Sequence, residues 1–405
     1  MMKLGCIADD FTGATDLAGL LRRSGASVTL HFGLPTQPSD GLADIEIIAL
    51  KCRTEPSHQA VKTCTLAGQW LLQGGAEQLY WKYCSTFDST PEGNIGPVAE
   101  ALMQVTGQTQ ALYCPAFPEN GRAVFMGHLF VGETLLGESS MQHHPLTPMT
   151  QSNLAKILAP QVRGPVGIWT RQAYMHRKPF PETPHVIADA IEFADLEWLV
   201  NQTPSHVLLT GGSALAMPLP NKLKIDHSAS AALPQTSSHS IVLSGSCSTM
   251  TQAQVTAFAT THPSYKLDPL KITDDTVEQC VQWLEDQSED ATPMVYATAD
   301  AVAVKAAQDH LGIQAAGKLI EATLGAIARA AYARGTRRFV IAGGETAGAI
   351  TQALDIDQVS IGPEICPGVP WVFSQSVQDP IALALKSGNF GTTTFFSDAL
   401  KILEA

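Results

Sequence analysis

The feature that most constrains this chain is a recurring unit. A short apolar run ends in a polar loop, often with glycine, and a segment with helical apolar spacing follows. Strands joined through helices pair in parallel, so the pattern predicts an α/β fold with wound, mostly parallel sheets flanked by helices. The first unit is the clearest: residues 4–8 are apolar, Asp9-Asp10-Phe11-Thr12-Gly13-Ala14-Thr15-Asp16 follows, and Leu17, Leu20 and Leu21 continue at helical spacing. Open α/β sheets bind ligands at such turns. Free N–H groups of the first helical turn receive an anion there, and aspartates hold a metal ion or take a proton from a hydroxyl. Capping of the helix by Asp10 or Thr12 is the plain alternative.

Further strands are expected at residues 27–32, 45–50, 78–83, 111–114, 166–169, 186–190 and 206–210, with helices over 58–72 and 95–105. Loops that leave strands at one sheet edge converge, which gathers Asp9, Asp10, Arg53, Lys82, Asp88 and Arg122 along one crevice. The three cations equally read as salt-bridged surface groups; their places after strand ends favour an anion role. Residues 127–150 break the pattern and read as an excursion or lid. His128, His143 and His144 lie there, and adjacent histidines in a proline-rich stretch read as loop residues ahead of metal ligands. Residues 226–240, rich in Ser, Ala, His and Pro, form the best linker. A chain of 405 residues exceeds one ordinary core, so the cut gives domains 1–230 and 231–405.

The second half repeats the unit, with strands expected at 241–243, 294–297, 338–342 and 383–385 and helices from Thr251 and over 317–333. The loops Ser244-Gly245-Ser246-Cys247-Ser248-Thr249, Gly343-Gly344-Glu345-Thr346 and Lys386-Ser387-Gly388-Asn389-Phe390-Gly391 each follow a strand. Glycine permits close backbone approach, while hydroxyls and free N–H groups face an anion, so together the loops suggest a nucleotide cradle. Gly312 to Lys318 nearly matches a phosphate-binding loop but fails on chemistry: Leu319 offers magnesium no hydroxyl, and the preceding segment reads as helix.

A formal charge of −13 argues against a general nucleic-acid binder. The absence of a long apolar run and of a basic-then-apolar start predicts a cytoplasmic protein without a membrane partner. Eight scattered cysteines without a C-x-x-C pair are expected to be reduced. A carboxylate crevice with Arg and Lys in one domain and Gly-Ser loops in the other fit phosphoryl transfer from a nucleotide to a small hydroxylated anion. Asp10 is the first choice as general base, and Asp9 is a competing base or a magnesium-linked group. Mg²⁺ would offset phosphate charge, and its ligands are unassigned.

These motifs resemble the four-carbon acid sugar kinases. The likeness rests on residues 8–14, on 82–97 with Gly93-Asn94-Ile95-Gly96, on 115–122, on 243–248, on 343–346 and on 386–391, and it spans nearly the whole chain. It implies a sugar-acid-binding N-terminal domain, a nucleotide-binding C-terminal domain and an active site in the cleft between them. ATP would phosphorylate the terminal hydroxyl of a C4 sugar acid. The loop 82–94 and the run 127–132 resemble members acting on 3-oxo-tetronate more than those acting on threonate or erythronate. Thr12, Arg53, Lys82, Asp88, Ser89, Asn94 and Arg122 are the expected substrate-side residues. Ser246, Ser248, Gly343, Gly344, Glu345, Thr346, Gly388 and Asn389 are expected to contact ATP. Domain closure over the ligands is expected, and a homo-oligomer stays open. Two rivals remain: a nicotinamide-dependent hydroxyacid dehydrogenase, which lacks a G-x-G-x-x-G after the first strand, and a non-catalytic sugar-acid sensor, which has no use for the C-terminal loops.

Overall fold

The computed structural model describes residues 2–36, 43–143, 147–225, 234–288, 290–374 and 380–403. Contacts divide the chain into units Met1–Ser230 and Ala231–Ala405. His144 and residues 226–233 of the expected linker lie outside the described residues.

In the first unit the strands are β1 Leu4–Ala8, β2 Val28–Phe32, β3 Ile45–Ala49, β4 Gln78–Lys82, β5 Gln110–Cys114, β6 Arg122–Phe125, β7 His128–Val131, β8 Thr134–Leu135, β9 Val166–Trp169, β10 His185–Ala188 and β11 Val207–Gly211. The main sheet runs β2-β3-β1-β4-β11-β5-β10-β9, and every pairing in it is parallel. β1 is buried along its whole length, as a central parallel strand covered on both faces must be. From β1 the helix Phe11–Arg22 carries the chain toward β2, whereas Ser57–Gln73 carries it from β3 past β1 to β4. Right-handed crossovers in opposite directions put these helices on opposite faces. The order therefore reverses at β1, and that is where such sheets open a crevice. Leu17, Leu20 and Leu21 are buried on the first helix, as their spacing predicts.

Residues 127–150 are a docked meander rather than a free lid in their first part. β6, β7 and β8 form an antiparallel sheet whose first turn puts Met126 and Gly127 at φ of 51° and 70°. The buried Asp189 carboxylate accepts the N–H groups of Met126, Gly127 and Arg171, each at 2.9 Å, and fastens the turn to the main sheet.

The second unit contains β12 Ser240–Ser244, β13 Ser264–Lys266, β14 Met294–Tyr296, β15 Arg338–Ala342, β16 Gln358–Cys366, β17 Val369–Ser374 and β18 Ala382–Lys386. Their order is β13-β14-β12-β15-β18-β17-β16; the first five pair in parallel, and the last two form an antiparallel edge. Val242, Phe258, Val340, Trp371, Phe373 and Phe395 lie in its core. The Gly312 segment is no phosphate loop. Gly312 starts the helix Ile313–Ala333 after the helix Ala301–Leu311, so Lys318 sits inside a helix. Among the described residues no helix is long and apolar enough to cross a membrane.

Candidate active site

In the first unit Ala8 is in register with both Ala49 and Lys82, and Lys82 with Gly211, so the loops that follow leave one sheet edge together. Arg53 grips Asp9 with two hydrogen bonds, Nε to Oδ2 at 2.7 Å and Nη2 to Oδ1 at 2.9 Å. Its Nη2 also lies 2.8 Å from Asp10 Oδ1, and its Nη1 lies 4.0 Å from Asp88 Oδ2. Lys82 Nζ donates to Asp10 Oδ1 at 3.3 Å and stands 3.8 Å from Asp9 Oδ1. Asp10 is the N-cap of the first helix, accepting from Gly13 N at 3.1 Å, and takes the Thr12 hydroxyl on its other oxygen at 2.8 Å. Capping is thus one of its roles, alongside two ion pairs that a cap does not need.

Burial pushes the Asp10 carboxyl up, but Arg53, Lys82 and Thr12 outweigh it and hold the group well below the ordinary carboxylate range. Asp9 goes the other way: its burial prevails over Arg53 and Lys82 and raises it. The Asp10 side chain keeps 26% of its exposure against 5% for Asp9. Asp10 is therefore the more accessible of the two carboxylates.

Other expected residues have different partners. Asn94 is buried and donates to the carbonyl oxygens of Cys52 (2.6 Å), Arg53 (3.3 Å) and Glu55 (2.8 Å), which shapes the loop that aims Arg53. Ser89 accepts from Gln161 at 2.9 Å, and Asp88 accepts from Thr86 at 2.6 Å. Arg122 donates to the Asn120 carbonyl, and its buried Nε has no partner among the described residues. His128 bonds the Met126 carbonyl at 2.9 Å, and the described residues hold no group of three His, Cys, Asp or Glu fit for a metal ion.

In the second unit Ser244, Ala342 and Lys386 are neighbours in register at the ends of β12, β15 and β18. Gly245 N and Ser246 N donate to the Ala342 carbonyl, and Gly343 N to that of Lys386. Three glycines keep this junction narrow. A Cβ on Gly245 would stand 2.2 Å from Thr346 Oγ1, one on Gly343 2.9 Å from the same atom, and one on Gly388 2.8 Å from Ser246 Oγ. Ser248 caps the helix Thr249–Ala259 and donates to the Gly388 carbonyl at 2.6 Å. Two helix N-termini, of Thr249–Ala259 and Gly344–Ala353, thus begin at one edge and offer N–H groups to an anion. Gly344, Glu345 and Asn389 are exposed. Beside these loops a cavity of about 850 Å³ is lined by Gly245, Cys247, Leu267, Ala307, Glu345 and Thr346, among others. A cavity of about 370 Å³ in the first unit lies at the other ends of β4 and β11, against Gln78 and Val207, away from the carboxylates.

The sequence matches the models for a sugar-binding N-terminal domain over residues 4–219 and a nucleotide-binding C-terminal domain over residues 241–396. The chain belongs to the four-carbon acid sugar kinase family. A 3-oxo-tetronate kinase of Pseudomonas fluorescens is 47% identical, over 98% of this chain and 96% of that protein. One of Burkholderia multivorans is 43% identical, over 99% and 97%. A solved protein of Salmonella typhimurium LT2, provisionally described as a tRNA synthase, shares the fold at a TM-score of 0.87 and 39% identity, over 98% of this chain and 99% of that one.

In this member of the four-carbon acid sugar kinases, sequence reasoning gave no individual role to Asp16 or Thr86, and took Lys386 only as the start of an expected cradle loop. Asp16 is 8% exposed, its Oδ1 has no hydrogen-bond partner among the described residues, and burial pushes its carboxyl up to about 6. Its place four residues after Thr12, beside the buried Leu17 and Leu20, is the signal that singles it out.

Proposed function

We propose that this protein is an ATP-dependent kinase that phosphorylates the C4 hydroxyl of 3-oxo-tetronate. One observation carries the reading: a chain of this family sets a carboxylate, Arg and Lys cluster at the strand ends of one unit and a glycine-hydroxyl cradle at those of the other. The substrate is taken from the 3-oxo-tetronate kinase name of relatives that align over nearly the whole chain. A net charge of −13 favours a small ligand steered by local donors over a nucleic acid.

In this proposal the sugar-acid carboxylate competes with Asp9 and Asp10 for Arg53 and Lys82. Drawing those cations away raises the basicity of Asp10 as the substrate arrives. Asp10, already ionised, accepts the proton of the C4 hydroxyl as the oxygen bonds to the γ-phosphorus and the bond to the ADP oxygen breaks. The loops around Ser246, Ser248, Gly343, Thr346 and Gly388 hold the phosphates. The cavity beside them, lined by apolar side chains together with Lys266, Asp268, Lys271 and Glu321, takes the nucleoside; its volume is that of ordinary ligand pockets. Mg²⁺ would sit with the nucleotide phosphates and offset their charge. A cytoplasmic location, where ATP is supplied, is part of the same proposal.

A coupled ADP-release assay over oxidised and unoxidised C4 acids is the test. Turnover is expected on 3-oxo-tetronate with Mg²⁺ and ATP. Turnover confined to threonate or erythronate would move the substrate within the family, and none on any acid would sink the kinase reading.

A further inference from the structure

Lys386 ends β18 with its side chain fully buried, among the largest buried side chains of the protein. A buried ammonium is costly unless a counter-charge or full hydrogen bonding compensates it. Here its three donors are spent on neutral oxygens: Thr251 Oγ1 at 3.1 Å, the Ser387 carbonyl at 3.0 Å and the Gly388 carbonyl at 2.7 Å. Among the described residues no carboxylate lies within salt-bridge reach of it. The elements packed around it present the Thr251 hydroxyl, the Phe395 ring at 5.9 Å and one titratable group, the Cys366 thiol.

The oxygens that Lys386 holds belong to the cradle itself. The Gly388 carbonyl also accepts from Ser248 Oγ at 2.6 Å and Thr251 Oγ1 at 2.8 Å, so the ammonium ties the 387–388 turn to the start of the helix Thr249–Ala259. Ser246 and Ser248 face the same turn. Holding a turn needs only a neutral donor, and an amide would do it without burying a charge. The positive charge therefore calls for a purpose, and an anion in these loops supplies one.

We propose that Lys386 is the positioning and charge-balancing residue of the phosphate cradle: its ammonium fixes the 387–388 turn, and its unneutralised charge is offset when an oligophosphate occupies the loops. The inference rests on the nucleotide reading of this unit and deepens it. Burial pushes the lysine down to about 8. Below that value the charge is present and its burial weakens the fold, and between it and the ordinary lysine range the folded chain binds fewer protons than the unfolded one. An incoming anion restores the proton.

Calorimetry on the full chain tests this with MgATP, MgADP and adenosine at about pH 8.5, where nucleotide phosphates no longer titrate, in two buffers of different ionisation enthalpy. Wild-type protein should show a net proton uptake on binding MgATP. Lys386→Met should abolish the uptake and weaken MgATP and MgADP by about tenfold or more, with adenosine affinity kept within about twofold. If that variant does not fold, proton uptake by the wild type decides alone. Binding of MgATP by the wild type without uptake overturns the proposal. So does a variant that binds MgATP normally, or one that loses all three ligands in equal proportion, as a scaffold role would give. Failure of the wild type to bind MgATP at all overturns the nucleotide reading beneath it.

Discussion

Asp10 carries a cap, a hydroxyl contact and two cationic neighbours on one carboxylate. Asp10→Asn keeps the size and an acceptor for the Gly13 N–H but removes the charge and the base. It should lower kcat by about a hundredfold or more while leaving MgATP affinity unchanged, read by steady-state kinetics and calorimetry. Near-normal turnover would return the residue to helix capping. Asp16 makes a prediction of opposite character, about stability. Its folded carboxyl lies above the unfolded value, so the folded chain binds more protons across that interval, and stability falls as pH rises through about 6. Asp16→Asn should remove that fall, a gain of roughly 2–3 kcal/mol at pH 7.5 relative to pH 4. Urea unfolding at the two pH values checks it; parallel behaviour of variant and wild type would dismiss the burial account. The Asp9, Asp10, Arg53 and Lys82 cluster was legible because each residue stands just after an apolar run. The roles of Asn94 and Ser89 were not, since a polar residue in a loop looks the same whether it faces a ligand or a neighbouring carbonyl.

At the scale of elements, the turn from β1 into the first helix works because Gly13 leaves room for Lys82. A Cβ there would stand 1.7 Å from Lys82 Nζ and 2.3 Å from Asp10 Oδ1. Alanine suits a helix better than glycine by roughly 0.5–1 kcal/mol, so Gly13→Ala should stay folded while displacing the lysine. The KM for the sugar acid should rise about tenfold with little change in that for ATP. An unchanged KM for the acid would mean that Lys82 does not meet the substrate. Apart from β13, whose Ser264, Tyr265 and Lys266 make no apolar run, the parallel strands were legible as short apolar runs bounded by polar loops. The β16–β17 hairpin was not, because Gly362 and Pro363 interrupt β16 where its register shifts between Ile361 and Glu364. The β6–β8 meander escaped notice because its strands are short and partly exposed, with the fastening carboxylate of Asp189 more than sixty residues away in sequence.

For the whole molecule, a formal charge of −13 makes the long-range field unfavourable to anionic ligands. On the proposed reading, binding comes from groups gathered at short range: Arg53 and Lys82 in the first unit, helix N-termini, hydroxyls and Lys386 in the second. Both gatherings follow from parallel pairing, which brings strand ends to one edge. By itself the sequence determined the alternation of buried strand, polar loop and helix, and with it the fold class and the positions of the loops proposed to hold ligands. Those features are local: apolar periodicity and turn chemistry are written within ten or twenty residues. Only the tertiary structure decided which polar groups meet, that Arg53 spans Asp9 and Asp10, that Asn94 turns to backbone carbonyls, and that Lys386 is buried without a carboxylate partner among the described residues. Those pairings depend on strand register and side-chain reach between segments far apart along the chain, and no local pattern encodes either.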